Sequence, residues 1–148
     1  MQNIGPDANE YRGHTGKVLD GDQTGLTVST FTAHCCPIGL CFDTKKMLSN
    51  DLKGDGFVIR YSLGAKSSMM RPFTNQGADL LHLHLTYDSV TNNYFVRTVR
   101  IVDGFKEPTD AVLVGNALYV IEYGGKEGNI WKIILPGDSR EAPKNSKN

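Results

Sequence analysis

The residues best suited to chemistry are two closely spaced histidines, a third histidine before a proline, and three basic residues around one loop. His82-Leu83-His84 sets two imidazoles on one face of an extended strand, about 7 Å apart. That spacing suits metal ligation, but the sequence identifies no third ligand. The pair reads as two histidines on a solvated face, so no metal site is assigned. His34 precedes Pro37 at the start of a strand, where a neutral imidazole either takes a proton from a bound hydroxyl group or caps backbone groups. It is the candidate substrate-binding residue. Arg60, Lys66 and Arg71 flank a loop carrying Ser67, Ser68, Met69 and Met70. A basic loop at a strand end pairs with the carboxylates of a cofactor or an acidic ligand, although three charges also arise on ordinary surface loops.

Other chemistries are absent or incomplete. Cys35, Cys36 and Cys41 lie within seven residues, an odd number with two adjacent, which disfavours an internal disulfide pattern. Zinc would need a second ligand pair at a suitable spacing. The three read as buried or semi-buried free thiols. No phosphate-binding glycine loop, serine nucleophile elbow or His-Glu-x-x-His segment occurs, and no catalytic residue is assigned. Lys and Arg number 16 against 16 Asp and Glu, a balance that argues against a nucleic-acid surface. No apolar run approaches the roughly 20 residues of a membrane-spanning helix. The polar start, Met1 to Arg12 with Gly5 and Pro6, does not read as a signal peptide.

The elements that must position these residues are strands. Alternation over Gly25–Phe31, Pro37–Asp43 and Gly56–Ser62 has the period of half-buried β-structure. Leu81–Tyr87 and Tyr94–Val102 form a hairpin about the polar turn Asp88–Asn93, and β-branched and aromatic residues dominate the return strand. Ala111–Val114, Ala117–Tyr123 and Asn129–Leu135 follow, the first two joined by Gly115-Asn116, a strong two-residue turn signal. One more short strand is expected at Lys17–Leu19. Lys45–Leu52 is the one helical candidate and is too short to hold a helix by itself. The fold class is all-β.

Two four-stranded antiparallel meanders of 40 to 50 residues fit Gly25 to Leu135, which favours a partial β-propeller of about two blades over a sandwich or barrel. Turns carrying Pro37 and Pro108 would introduce the inner strands. Residues 1–24 read as an irregular lead-in, 25–136 as the partial propeller and 137–148 as a disordered tail. Two blades leave apolar flanks uncovered, so the chain is expected to need missing blades or copies of itself. Trp131 in the last strand suits either packing between blades or stacking on a ligand ring.

Three segments in order carry a family resemblance. Thr32-Ala33-His34-Cys35-Cys36-Pro37-Ile38-Gly39-Leu40-Cys41-Phe42 resembles the His-x-x-Pro-x-Gly-Leu-x-Phe stretch of the glucose/sorbosone dehydrogenase family, quinone-dependent six-bladed propellers. Leu52 to Gly64 is similar to a strand and following loop of that family. Gly104 to Ala111, Ala117 to Val120 and Gly128 to Ile133 resemble its closing blade. The match runs from about Ser29 to Pro136 and covers only the family's C-terminal portion. The resemblance implies an oxidoreductase that passes a hydride from a carbohydrate to pyrroloquinoline quinone (PQQ) with calcium nearby, in a secreted or periplasmic parent protein. Arg60, Lys66 and Arg71 would be the counterparts of its cofactor-binding cations, and His34 would face the carbohydrate. The family's catalytic histidine and calcium ligands fall upstream of the match. The chain alone is therefore expected to be inactive and not to hold these cofactors, with a non-catalytic propeller binding module as the alternative.

Overall fold

The computed structural model describes residues 10–12, 18–20, 35–62, 77–90, 92–124 and 127–138. Among these residues there is no helix, and nine strands form three antiparallel sheets. β1 (Glu10–Arg12) and β2 (Val18–Asp20) make a small hairpin in the stretch expected to hold one strand. β3 (Cys35–Phe42), β4 (Gly56–Ser62), β5 (Asp79–Asp88) and β6 (Asn93–Val102) form a four-stranded meander in the order 3-4-5-6. β7 (Pro108–Val114), β8 (Ala117–Glu122) and β9 (Asn129–Ile134) form a three-stranded meander. The strand expected at Gly25–Phe31 lies outside the described residues.

Register decides which face of the larger sheet meets the core. Ile38, Ile59 and Leu80 lie abreast on one face, as do Cys41, Phe57 and His82. This face packs on Ala111, Leu118 and Val120 of the smaller sheet and on Leu48, Leu52, Phe105 and Leu135 from connecting segments, forming the main apolar core. The opposite face carries a smaller cluster of Val58 and Leu81 with Leu83 against it. β4 is thus buried on both sides, which explains why Phe57, Val58, Ile59 and Arg60 form a run of consecutive buried residues.

The helical candidate Lys45–Leu52 is instead a looped segment built by one carboxylate. Buried Asp43 accepts hydrogen bonds from the backbone N–H groups of Met47, Leu48 and Gly54, at 2.9, 3.1 and 3.2 Å. These bonds offer the backbone an alternative to a helix, as Asp commonly does in turns. Leu48 and Leu52 then plug the core. The loop is fastened to the chain beyond β9 by a Leu48–Gly137 bridge, an Asp138 N–H to Met47 C=O bond and a Lys53–Asp138 ion pair at 2.9 Å. Gly137 and Asp138 are therefore tied in, where the sequence suggested the start of a disordered tail.

The two larger sheets approach closely at Gly39. The residue interrupts the β3–β4 register with a bulge and has φ +61°. A Cβ there would stand 2.6 Å from the Ala111 backbone nitrogen and 2.8 Å from the Asp110 Cα. Both the left-handed backbone and the close approach call for glycine. Gly39→Ala is expected to cost about 2–4 kcal/mol, because strain and overlap with another strand's backbone add together. Chemical denaturation checks this, and a loss below about 0.5 kcal/mol would show that the strands can part without penalty.

A buried carboxylate pins the smaller sheet to its lead-in. Glu122 accepts from the Lys106 N–H at 2.8 Å and the Asn129 side-chain amide at 3.0 Å. Burial works to raise its pKa, but these bonds and one from the Trp131 side chain outweigh it and hold the group below its usual 4.5. A carboxyl group depressed on folding stabilises the protein above its unfolded pKa and loses that contribution as pH falls through its folded value. The melting-temperature advantage of wild type over Glu122→Gln should therefore be full at about pH 6 and shrink towards about pH 3. An advantage that stays constant across that range would overturn the assignment.

Candidate functional site

Three ligand-type side chains converge where the 43–55 loop enters β4. Asp55 ends the loop, held by its N–H to the Leu52 C=O and by its C=O to the Asp43 N–H. Its carboxylate points across the sheet to β5. Asp55 Oδ2 accepts from His82 Nε2 and from His84 Nδ1, each at 2.8 Å, and Oδ1 accepts from the Leu85 N–H at 3.1 Å. Two imidazoles donating to one carboxylate oxygen fix opposite tautomers, Nε2–H on His82 and Nδ1–H on His84.

The sequence reading of a solvated histidine pair holds for one member only. His84 keeps 49% of its side chain exposed, whereas His82 is buried on the core face with its ring stacked on Phe57 at 5.5 Å. Burial pushes the His82 pKa below the usual 6.5, against the opposing pull of Asp55. His82 is accordingly a neutral donor at neutral pH. The third ligand-type group missing from the sequence reading is Asp55, 27 residues before His82. Its segment, Lys53-Gly54-Asp55-Gly56, reads locally as a turn, so only the β4–β5 pairing, which places Gly56 opposite Leu83, reveals the neighbour.

The three basic residues do not share one fate. Lys66 and Arg71 lie outside the described residues, as does His34. Arg60 is wholly buried, which corrects its expected place at a ligand-facing strand end. Its Nε and Nη2 donate to Asp79 Oδ1 and Oδ2 at 2.8 and 2.6 Å, and Arg100 Nε donates to Oδ2 at 2.8 Å. The β4–β5 register sets Arg60 directly opposite Asp79, so the fork is bidentate and closed. A quinone carboxylate has no access to this guanidinium, and at this position the residues do not fit PQQ. Nor does the Asp55 cluster fit calcium, which takes six to eight oxygen ligands, because two of its three donors are imidazole nitrogens.

Two of the three thiols, Cys35 and Cys41, carry little reactivity. None of the three is in a disulfide: Cys35 is buried, Cys41 partly so and Cys36 exposed. Burial pushes Cys35 and Cys41 up to about 11, with Asp110 adding to the rise at Cys41, so neither is a thiolate at neutral pH. Trp131 stands edge-on to Phe105 at 6.5 Å and remains half exposed at the sheet margin.

Set against known proteins, the chain matches no protein family, no curated protein and no solved structure.

Asp79 is the acceptor for two arginines, one of them fully buried, so its loss leaves uncompensated charge inside the protein. Asp79→Ala is expected to destabilise the chain by about 3–5 kcal/mol, whereas Lys53→Ala, which breaks the partly exposed pair with Asp138, should cost less than about 1 kcal/mol. Urea unfolding of both variants tests the contrast, and equal losses would show that the buried cluster is not structural.

Proposed function

We propose that the chain is a section of a β-propeller of the glucose/sorbosone dehydrogenase kind, two consecutive blades that supply scaffold and wall to a carbohydrate pocket without a catalytic centre of their own. The observation that carries the reading is an apolar sheet face that no other described residue covers. On the outer side of the smaller sheet, Val112, Ile121 and Ile130 are 55%, 48% and 72% exposed and, with Tyr119, line a shallow depression. The sheet has three strands, and β9 lies at its edge with nearly every residue exposed. A fourth strand pairing along β9 and a neighbouring blade over the Val112 face would complete the packing that the inner faces already have.

Two further features support it. Each sheet is a simple antiparallel meander, and the first strand of one packs on the first strand of the other, as inner strands do around a propeller axis. Gly39, where those strands touch, is the glycine of the segment that resembles the dehydrogenase family. The buried Arg60–Asp79 pair favours the second reading, a non-catalytic propeller module that binds its ligand without a quinone.

Leaving about 300 Å² of apolar surface wet forfeits about 7 kcal/mol, comparable to the whole stability of a domain. The isolated chain should therefore self-associate or bind a hydrophobic dye, and Val112→Lys with Ile130→Lys should abolish both while keeping the strand spectrum. Sedimentation, dye fluorescence and circular dichroism measure these. A dilute wild-type monomer that melts cooperatively above about 60 °C without dye uptake would sink the proposal. In parallel, the chain given PQQ, calcium and an artificial electron acceptor should not oxidise aldoses. Turnover abolished by a point substitution in this chain would mean that it holds a catalytic centre.

A further inference from the structure

We propose that Asp55, His82 and His84 form a binding site for a late first-row divalent metal ion, with zinc as the natural occupant, three protein ligands and an open position facing solvent. The Asp55 carboxylate oxygen and one nitrogen of each imidazole all lie within 4.8 Å of one another. A tetrahedral zinc site with bonds near 2.0–2.1 Å sets its ligand atoms about 3.3 Å apart. The two contacts of 2.8 Å to Asp55 Oδ2 thus need to open by only about half an ångström as each neutral imidazole changes tautomer, its proton passing to the far ring nitrogen through solvent, and the ion takes the freed nitrogens. Two imidazoles and one carboxylate are a donor set for zinc and its transition-metal neighbours and too nitrogen-rich for calcium or magnesium.

The site also has the supports that hold ligands in place. The Leu85 N–H fixes the second carboxylate oxygen of Asp55, and Phe57 stacks on His82, so two ligands are oriented before any ion arrives. His84 is the half-exposed member, which leaves a path for the ion and room for water or an exogenous ligand in the fourth position. Arg97 stands across the β5–β6 pairing from His84. A cation beside the site tempers affinity for a bare ion and favours an anionic fourth ligand, such as hydroxide or a carboxylate. This arrangement is independent of the propeller reading, since it lies within the larger sheet and its loop.

The experiment uses the full untagged chain, stripped with chelator, titrated with zinc chloride and separately with cobalt(II) chloride. Zinc should bind one to one and raise the melting temperature by at least about 5 °C at a hundredfold excess over the dissociation constant, whereas calcium chloride should not. Cobalt should give visible bands of a nitrogen–oxygen site without a near-ultraviolet thiolate band, and Cys36→Ser should bind as wild type. His84→Gln, at a half-exposed position, should weaken zinc binding at least about tenfold. Should that variant misfold, nuclear magnetic resonance of the wild type decides: zinc should shift the ring signals of His82 and His84 and leave those of His14 and His34 in place. No zinc binding, a cobalt thiolate band, unchanged affinity in folded His84→Gln, or zinc shifts confined to His14 and His34 would each overturn the site.

Discussion

The structure depends on a strand with no outside. β4 is covered on one side by the smaller sheet and the 43–55 loop, and its other side carries Val58 and the Arg60 guanidinium, both buried. A strand placed this way tolerates polar groups only if each is paired. That constraint accounts for Asp79 opposite Arg60 and for Arg100 joining the same carboxylate. It also fixes register: a slip of one residue between β4 and β5 would set Leu80 in place of Asp79 opposite Arg60 and leave the guanidinium buried without its carboxylate. The ion cluster therefore selects one pairing out of several that the leucine-rich β5 would otherwise allow.

The same pairing creates the histidine–aspartate cluster. Gly56 sits opposite Leu83, so the residue before it, Asp55, arrives level with His84 and within reach of His82. Asp43 prepares this by folding the preceding loop, and its acceptance of the Gly54 N–H brings the end of that loop back to its start. Two buried aspartates, twelve positions apart in the chain, thus divide the work: one shapes the loop and the other meets the imidazoles. The inner faces of the sheets are well provided with partners, while the outer face of the smaller sheet keeps Val112, Ile121 and Ile130 largely exposed.

Local alternation was enough to read the strands. Gly56–Ser62 has the bounds expected from its pattern, and the hairpins through Gly115-Asn116 and across Asp88–Asn93 pair as their turn residues suggest. What alternation does not reveal is which face is inside when both carry apolar side chains. Leu81, Leu83 and Leu85 share one face and Leu81 is fully buried in the smaller cluster, yet the main core takes Leu80 from the other face, where His82 is buried as well. β5 keeps strict alternation against β4 there, so period two sorts its residues into two faces without saying which face meets the larger core. Arg60 looked available because its partner lies 19 residues away, and Asp55 looked like a turn residue for a similar reason. Charge pairing and ligand convergence are long-range properties, visible only once the strands are laid side by side.

The clasp between the 43–55 loop and the chain after β9 has a mechanical side. Tension applied at Asp138 passes through the Lys53 and Met47 contacts into the loop that ends at Asp55, while among the described strands β9 pairs with β8 alone. A pull from that end would load the loop beside the imidazoles as directly as it loads the edge strand. Whatever lies beyond residue 138 thus has a lever on the spacing between Asp55 and its two histidines.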